Sequence, residues 1–145
     1  MVKMTDIDNA RAGCFYSMYE NNTYIGLDFD HTCVRSEKYP DYYENPHCAV
    51  VLRKLQKKGY KLILITMREG KFLDDALEWF KKHGIELYGI NDNPDQHTWT
   101  TARKVFVNWF IDDRNLGTPM VYPKNRKEYV DWYEVEKWFI KQGLL

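Results

Sequence analysis

The sequence predicts an α/β domain: a mainly parallel sheet with helices on both faces. Three observations lead there. Apolar runs of strand length alternate along the chain with segments whose apolar residues recur at helical spacing. Two of the runs, Tyr24–Leu27 and Leu62–Ile65, are almost continuously apolar rather than alternating, as in strands covered on both faces. The runs also end abruptly in polar chemistry: Asp28 and Asp30 after the first, Thr66 after the second, Asp112 and Asp113 after the run over 105–111. In parallel α/β sheets ligands bind beyond the carboxyl ends of the strands. The pattern therefore gathers at one edge acids that are up to 85 residues apart in the chain.

The elements follow in order. Residues 1–145 read as one domain, with a core over about 23–143 and an N-terminal extension over 1–22, where polar and apolar residues show no clear period. The first strand, Tyr24 to Asp28, is entered from the turn-forming Asn21-Asn22. Residues 33–45 read as a long polar, aromatic-rich connection, and loops of this length inside a compact domain are often functional. A helix then opens with Asn45 as N-cap and Pro46 in its first position. Its stripe is Ala49, Leu52 and Leu55, and Lys57, Lys58 and Gly59 end it.

The second strand, Lys61–Thr66, leads to a helix over Lys71–His83 with Phe72, Leu73, Ala76, Leu77, Trp79 and Phe80 at helical spacing. Leu87–Ile90 is a short third strand, residues 91–100 a polar loop, and Val105–Ile111 contains a fourth strand. Pro119–Tyr122 fits a short edge strand. The last helix starts at Asp131, with Glu134 three residues on making a capping-box-like pair; it buries Trp132, Val135, Trp138 and Phe139 and ends at Gly143.

Composition narrows the function. At 44% hydrophobic and 16% aromatic the chain can bury a proper core. Lysine and arginine number 21 against 21 acids, so a strongly basic nucleic-acid binder is not indicated, and nucleic acid enters only as a substrate. No apolar run is long enough to span a membrane, and Met1–Asp8 lacks the apolar core of a signal peptide. Three cysteines, Cys14, Cys33 and Cys48, form no C-x-x-C and fit free thiols in a reducing cytoplasm.

Paired acids at a strand end repel, and each costs free energy to bury. Four carboxylates on one sheet edge suit a hard divalent cation, and magnesium takes one or two carboxylates plus substrate phosphate. A carboxylate beside such a cation can attack phosphorus, and an acid two residues on can move the proton.

These residues carry a family resemblance. Leu27-Asp28-Phe29-Asp30-His31-Thr32 resembles motif I (D-x-D-x-T) of the haloacid dehalogenase (HAD) superfamily phosphatases. Ile63-Leu64-Ile65-Thr66 resembles motif II, Lys104 the motif III lysine, and Phe110-Ile111-Asp112-Asp113 motif IV. The match covers residues 24 to 117 in the family's order. The resemblance implies a Rossmann-like three-layer α/β/α sandwich without a large cap domain, of the small bacterial and phage type. It implies a magnesium-dependent phosphohydrolase that forms an aspartyl-phosphate on Asp28. Asp30 would be general acid and then base. Asp28, the backbone carbonyl of Asp30 and Asp112 would hold Mg2+, supported by Asp113. Thr66 and either Lys104 or its neighbour Arg103 would bind the phosphoryl group. A phosphotransferase of the same fold and a catalytically silent phospho-ligand binding domain are the alternatives.

Thr32, His31, Met67 and Arg68 flank these motifs and are candidates for substrate contact, with a surface ion pair the other reading of Arg68. With no cap the site is expected to be open, which suits a bulky phosphorylated substrate. Tyr39, Tyr42 and Tyr43 either stack on substrate or pack their loop onto the body. His47, Cys48 and Cys33 have no common zinc spacing.

Overall fold

The computed structural model describes residues 12–13, 21 and 23–145. The expected packed N-terminal extension lies otherwise outside the described residues. The described elements are β1 (Tyr24–Leu27), β2 (Val34–Arg35), β3 (Tyr43–Glu44), α1 (Cys48–Lys58), β4 (Lys61–Leu64), α2 (Gly70–Lys82), β5 (Gly89–Ile90), a 3-10 turn (Pro94–Thr98), β6 (Trp109–Ile111), β7 (Met120–Val121), β8 (Tyr129–Val130) and α3 (Trp132–Lys141).

Four strands form one parallel sheet in the order β5-β4-β1-β6. Leu27 registers with Leu64 on one side and with Ile111 on the other, so the three strand ends are level. The alternation of side chains sorts the core. Ile25 and Leu27 join Leu62 and Leu64 on one face. The buried stripes of α1 (Val51, Leu52, Leu55), α2 (Ala76, Trp79, Phe80) and α3 (Trp132, Val135, Phe139) all pack there. Each such fully buried side chain contributes about 1.5–3 kcal/mol. Tyr24 and Ile63 point the other way, where Val105, Phe106, Val107 and Ile65 cover them. That covering layer sits close: a Cβ on Gly26 would come within 3.0–3.2 Å of Ile65, Phe110 and Val107 side chains.

Several expectations change. The helix expected to start from Asn45 starts at Cys48, behind His47 in a left-handed conformation (φ 70°), and Asn45 makes no cap bond. Its buried amide is taken by two distant carbonyls instead. The loop over 33–45 contains the antiparallel pair β2–β3. The strand expected over Pro119–Tyr122 is not an edge of the main sheet but pairs as β7 with β8 in a separate ribbon. Trp138, expected in the buried stripe of α3, is 41% exposed. The Asp131 cap of α3 is as expected, its carboxylate accepting from the Tyr133 and Glu134 amides.

At the amino end of the sheet a polar clasp ties β1, β4 and the 3-10 turn. Asp95 accepts from the Tyr24 hydroxyl (2.6 Å), the Tyr88 hydroxyl (2.6 Å) and the Lys61 ammonium (3.1 Å). The Lys61 ammonium also lies 4.3 Å from the Tyr88 ring centroid. Among the described residues no helix is long and apolar enough to cross a membrane.

Candidate active site

The site is built where β1 and β6 end side by side. The Asp28 amide donates to the Ile111 carbonyl (3.0 Å), which sets Asp28 directly beside Asp112. Asp28, Asp112 and Asp113 each offer an oxygen within 4.8 Å of the others. All three are half-buried, and among the described residues none pairs with a lysine or a deeply buried arginine; Arg114 Nε reaches Asp113 at 3.6 Å from solvent. Burial, then the charges of Asp112 and Asp113, push the Asp28 carboxyl up to about 8, against the lowering effect of the Thr32 hydroxyl and the Phe29 amide. Asp113 is raised as well, by burial and Asp112, against the lowering effect of its hydrogen bond with Asp28 and of the nearby charge of His31.

The loop after β1 turns on one carbonyl. Phe29 O accepts from the amides of Thr32, Cys33 and Val34, and His31 takes φ 59° to let the chain reverse. Phe29 itself is fully buried among Tyr42, Trp79 and Phe80. Thr32 is also fully buried. Its hydroxyl donates to the Asp28 carboxylate (3.1 Å) and accepts from the Asp113 amide (3.0 Å), while its carbonyl accepts from Asn45 Nδ2 (2.8 Å) and Trp132 Nε1 (2.7 Å). Thr32 is thus a brace between two acid-bearing strand ends. That corrects its expected contact with substrate, since neither polar atom is free.

Thr66 reaches the same edge at the end of β4, through the Ile65 amide on the Leu27 carbonyl (2.7 Å). Asn91 grips it twice, accepting from the Thr66 amide and donating to the Thr66 carbonyl, both at 2.9 Å. The sequence reading missed Asn91; its left-handed backbone (φ 50°) just past β5 is the local sign of a specialised turn. The turn depends on Gly89, because a Cβ there would lie 2.1 Å from the Asp92 carbonyl oxygen.

Arg68 departs from its expected roles. Its side chain is 1% exposed and grips Asp30 with a two-pronged pair, Nε to Oδ2 at 2.8 Å and Nη2 to Oδ1 at 2.7 Å. It also donates to the Pro40 and Phe72 carbonyls and lies against the rings of Phe29, Tyr39 and Tyr42. Arg68 is therefore neither a surface ion pair nor free to hold substrate. The Asp30 carboxylate is turned toward it and is not part of the three-acid cluster. Tyr39 and Tyr42 pack the 33–45 segment onto the body through this guanidinium.

The remaining candidates divide. Met67 is fully exposed at the rim beside Thr66. His31 is half-buried, and its carbonyl accepts from the Val130 amide (2.9 Å). Lys104 is not brought to the acids. It is exposed, its carbonyl is held by Gln96 Nε2 (3.1 Å), and its ammonium forms no ion pair among the described residues. Its segment is instead anchored by Phe106, whose ring meets Tyr24 at the start of β1. Arg103 is likewise exposed and forms no ion pair among the described residues.

An all-oxygen set of three converging carboxylates fits a hard divalent cation, whose charge would relieve the repulsion that raises Asp28 and Asp113.

No protein-family model matches the chain. No curated protein sequence matches it either. Among solved structures, the chain is similar to a conserved protein from Bacteroides thetaiotaomicron, with 36% sequence identity over 85% of this chain and 93% of that one and a TM-score of 0.66.

Proposed function

The chain belongs to one family with that conserved Bacteroides thetaiotaomicron protein, and from the geometry of its own acids we propose that it is a magnesium-dependent phosphohydrolase acting through an aspartyl-phosphate on Asp28. One observation carries the reading: the convergence of Asp28, Asp112 and Asp113 at adjacent strand ends, half-buried and mutually repelling. Stability gives no reason for such a cluster, whereas a cation and a phosphate do. The same reading takes the sheet and its helices as the core of a HAD-like three-layer α/β/α sandwich without a large cap. The buried free thiols of Cys33 and Cys48 support a reducing, cytoplasmic setting.

Asp28, Asp112 and Asp113 would hold Mg2+, with the Asp30 carbonyl. The cation supplies charge neutralisation that lets an anionic carboxylate approach an anionic phosphate. A carboxylate oxygen of Asp28 attacks phosphorus as the ester P–O bond breaks, and the leaving oxygen takes its proton from the Asp30 carboxyl. Water then attacks the phosphorus of the aspartyl-phosphate, Asp30 takes the water's proton, and the P–O bond to Asp28 breaks to restore the carboxylate. Thr32 fixes the Asp28 carboxylate against the Asp113 backbone throughout. Thr66, oriented by Asn91, offers its hydroxyl to the phosphoryl oxygens. Arg68 ties up both Asp30 carboxylate oxygens, so proton transfer by Asp30 requires it to turn out of that pair.

That commitment of Asp30, with no lysine at the acids, favours a second reading: a domain that binds a phosphoryl group without turnover. One assay separates the two. Magnesium-dependent phosphate release from p-nitrophenyl phosphate, reduced at least about a thousandfold by Asp28→Asn, is the result expected of the enzyme. Magnesium-dependent binding of inorganic phosphate with no release from any ester overturns the enzyme and leaves the binding domain.

A further inference from the structure

Beside the catalytic loop lies a second concavity that the hydrolysis does not use. It encloses about 720 Å³ between the β2–β3 pair and the turn joining β7 to β8. Arg35, Lys124, Arg126 and Lys127 line it, with Tyr43 and Tyr129. Against these four cations stands one lining carboxylate, Glu37. None of the four cations forms an ion pair among the described residues. Arg35 Nε is spent on the Glu44 carbonyl (2.7 Å), and its guanidinium lies 5.4 Å from the Tyr129 ring centroid. A chain with no net charge has thus concentrated an excess of positive charge in one hollow. An anion is what such a hollow attracts.

The aromatic groups narrow the anion. Arg35 and Tyr43 are direct cross-strand partners, so their side chains share one face of the ribbon. Tyr43 is 59% exposed and presents its ring beside the cations. Exposed rings interleaved with cations in a groove are the means by which single strands are held, bases stacking and phosphates paired. A concave hollow of this size does not suit a flat anionic membrane, and it lies within the usual range for an enclosed ligand of nucleotide size. The hollow also adjoins the loop that follows Asp28. Arg35 is four residues beyond His31, and Val130, next to Tyr129, donates to the His31 carbonyl at 2.9 Å.

We propose that this hollow is a binding site for single-stranded nucleic acid, with phosphates on Arg35, Lys124, Arg126 and Lys127 and a base against Tyr43. The strand would lie beside the loop that follows Asp28, and an end phosphate reaching the acids would have its ester P–O bond cleaved; that cleavage alone rests on the phosphohydrolase reading.

The test is binding of a short fluorescein-labelled oligothymidylate, followed by anisotropy in chelator. Four phosphate contacts at about 0.7 in slope each give an affinity loss of about 50-fold between 50 and 200 mM salt. The variant K124A/R126A/K127A, checked for a native far-UV spectrum, should bind weakly and lose only about threefold over the same range. Tyr43→Ala should weaken binding about tenfold at fixed salt. Absence of binding at 50 mM salt, or unchanged binding by the triple variant, overturns the site. Equal competition by inorganic polyphosphate, or binding only to anionic vesicles, overturns the assignment to nucleic acid. Because chelator removes divalent cations and the readout is binding, failure here leaves hydrolysis of p-nitrophenyl phosphate untouched, and the converse holds.

Discussion

The two ends of the parallel sheet treat acids in opposite ways. At the amino end Asp95 collects two tyrosine hydroxyls and an ammonium, and these donors outweigh its burial to hold its carboxyl below the usual range. At the carboxyl end Asp28 meets two more carboxylates and one threonine hydroxyl, and is pushed up to about 8. The first arrangement is a fastening: every charge is answered by the chain itself. The second is incomplete by construction, since what would answer its charge has to come from outside. Asp30 is the instructive intermediate, an acid at the carboxyl end that is answered in the manner of the amino end, by Arg68.

Breaking that intermediate should have the largest effect. Arg68→Ala strips a buried guanidinium from Asp30 and from two carbonyls, and urea unfolding should read a loss of about 3 kcal/mol. A loss under about 1 kcal/mol would show the pair to be no fastening. Asp95→Ala should cost about 2 kcal/mol, less because the carboxylate is one-third exposed, and should leave magnesium binding unchanged. A fall in magnesium affinity in that variant would mean the two ends are not independent.

The most discriminating prediction is a pH dependence. The folded Asp28 carboxyl sits near 8, above its ordinary 3.8. Between those values the native chain holds a proton that the unfolded chain has released, so stability is greatest at the acid side and falls as pH rises through the window. Asp113 is raised and acts in the same direction, whereas the lowered Asp95 contributes a stability lost only in more acidic solution. In chelator the melting temperature should therefore drop from pH 5 to pH 8. Magnesium should restore more of it at pH 8 than at pH 5, and Asp113→Asn should shrink the drop. A melting temperature that rises across this range in chelator would contradict the repulsion argument.

The acids were legible in the sequence because a continuous apolar run has one end, and β1 and β6 bring the residues just past their ends to one place. The Asp131 cap was legible because it acts within three residues. The features that escaped act over distance or in very few residues. β2, β3, β7 and β8 are two residues each, too short to show a period. Asn45 has the composition of a cap, yet its amide joins carbonyls 13 and 85 residues away, and only the packed structure makes those partners available. Arg68 and Asp30 are 38 residues apart, and nothing local distinguishes a buried arginine from a surface one. Lys104 had suitable spacing, but its segment is drawn instead to where Phe106 packs onto Tyr24.

The brace at Thr32 has a consequence for how the molecule comes into being. Asp28 and Thr32 are made early in synthesis, but the brace is completed only when the chain reaches Asp113 and then Trp132, 81 and 100 residues beyond Thr32. Until those arrive, Asp28 lacks Asp112 and Asp113 beside it. A partly made or trimmed chain thus carries the Asp28 carboxylate without its setting, and the three-acid cluster forms only once the last third of the protein has docked.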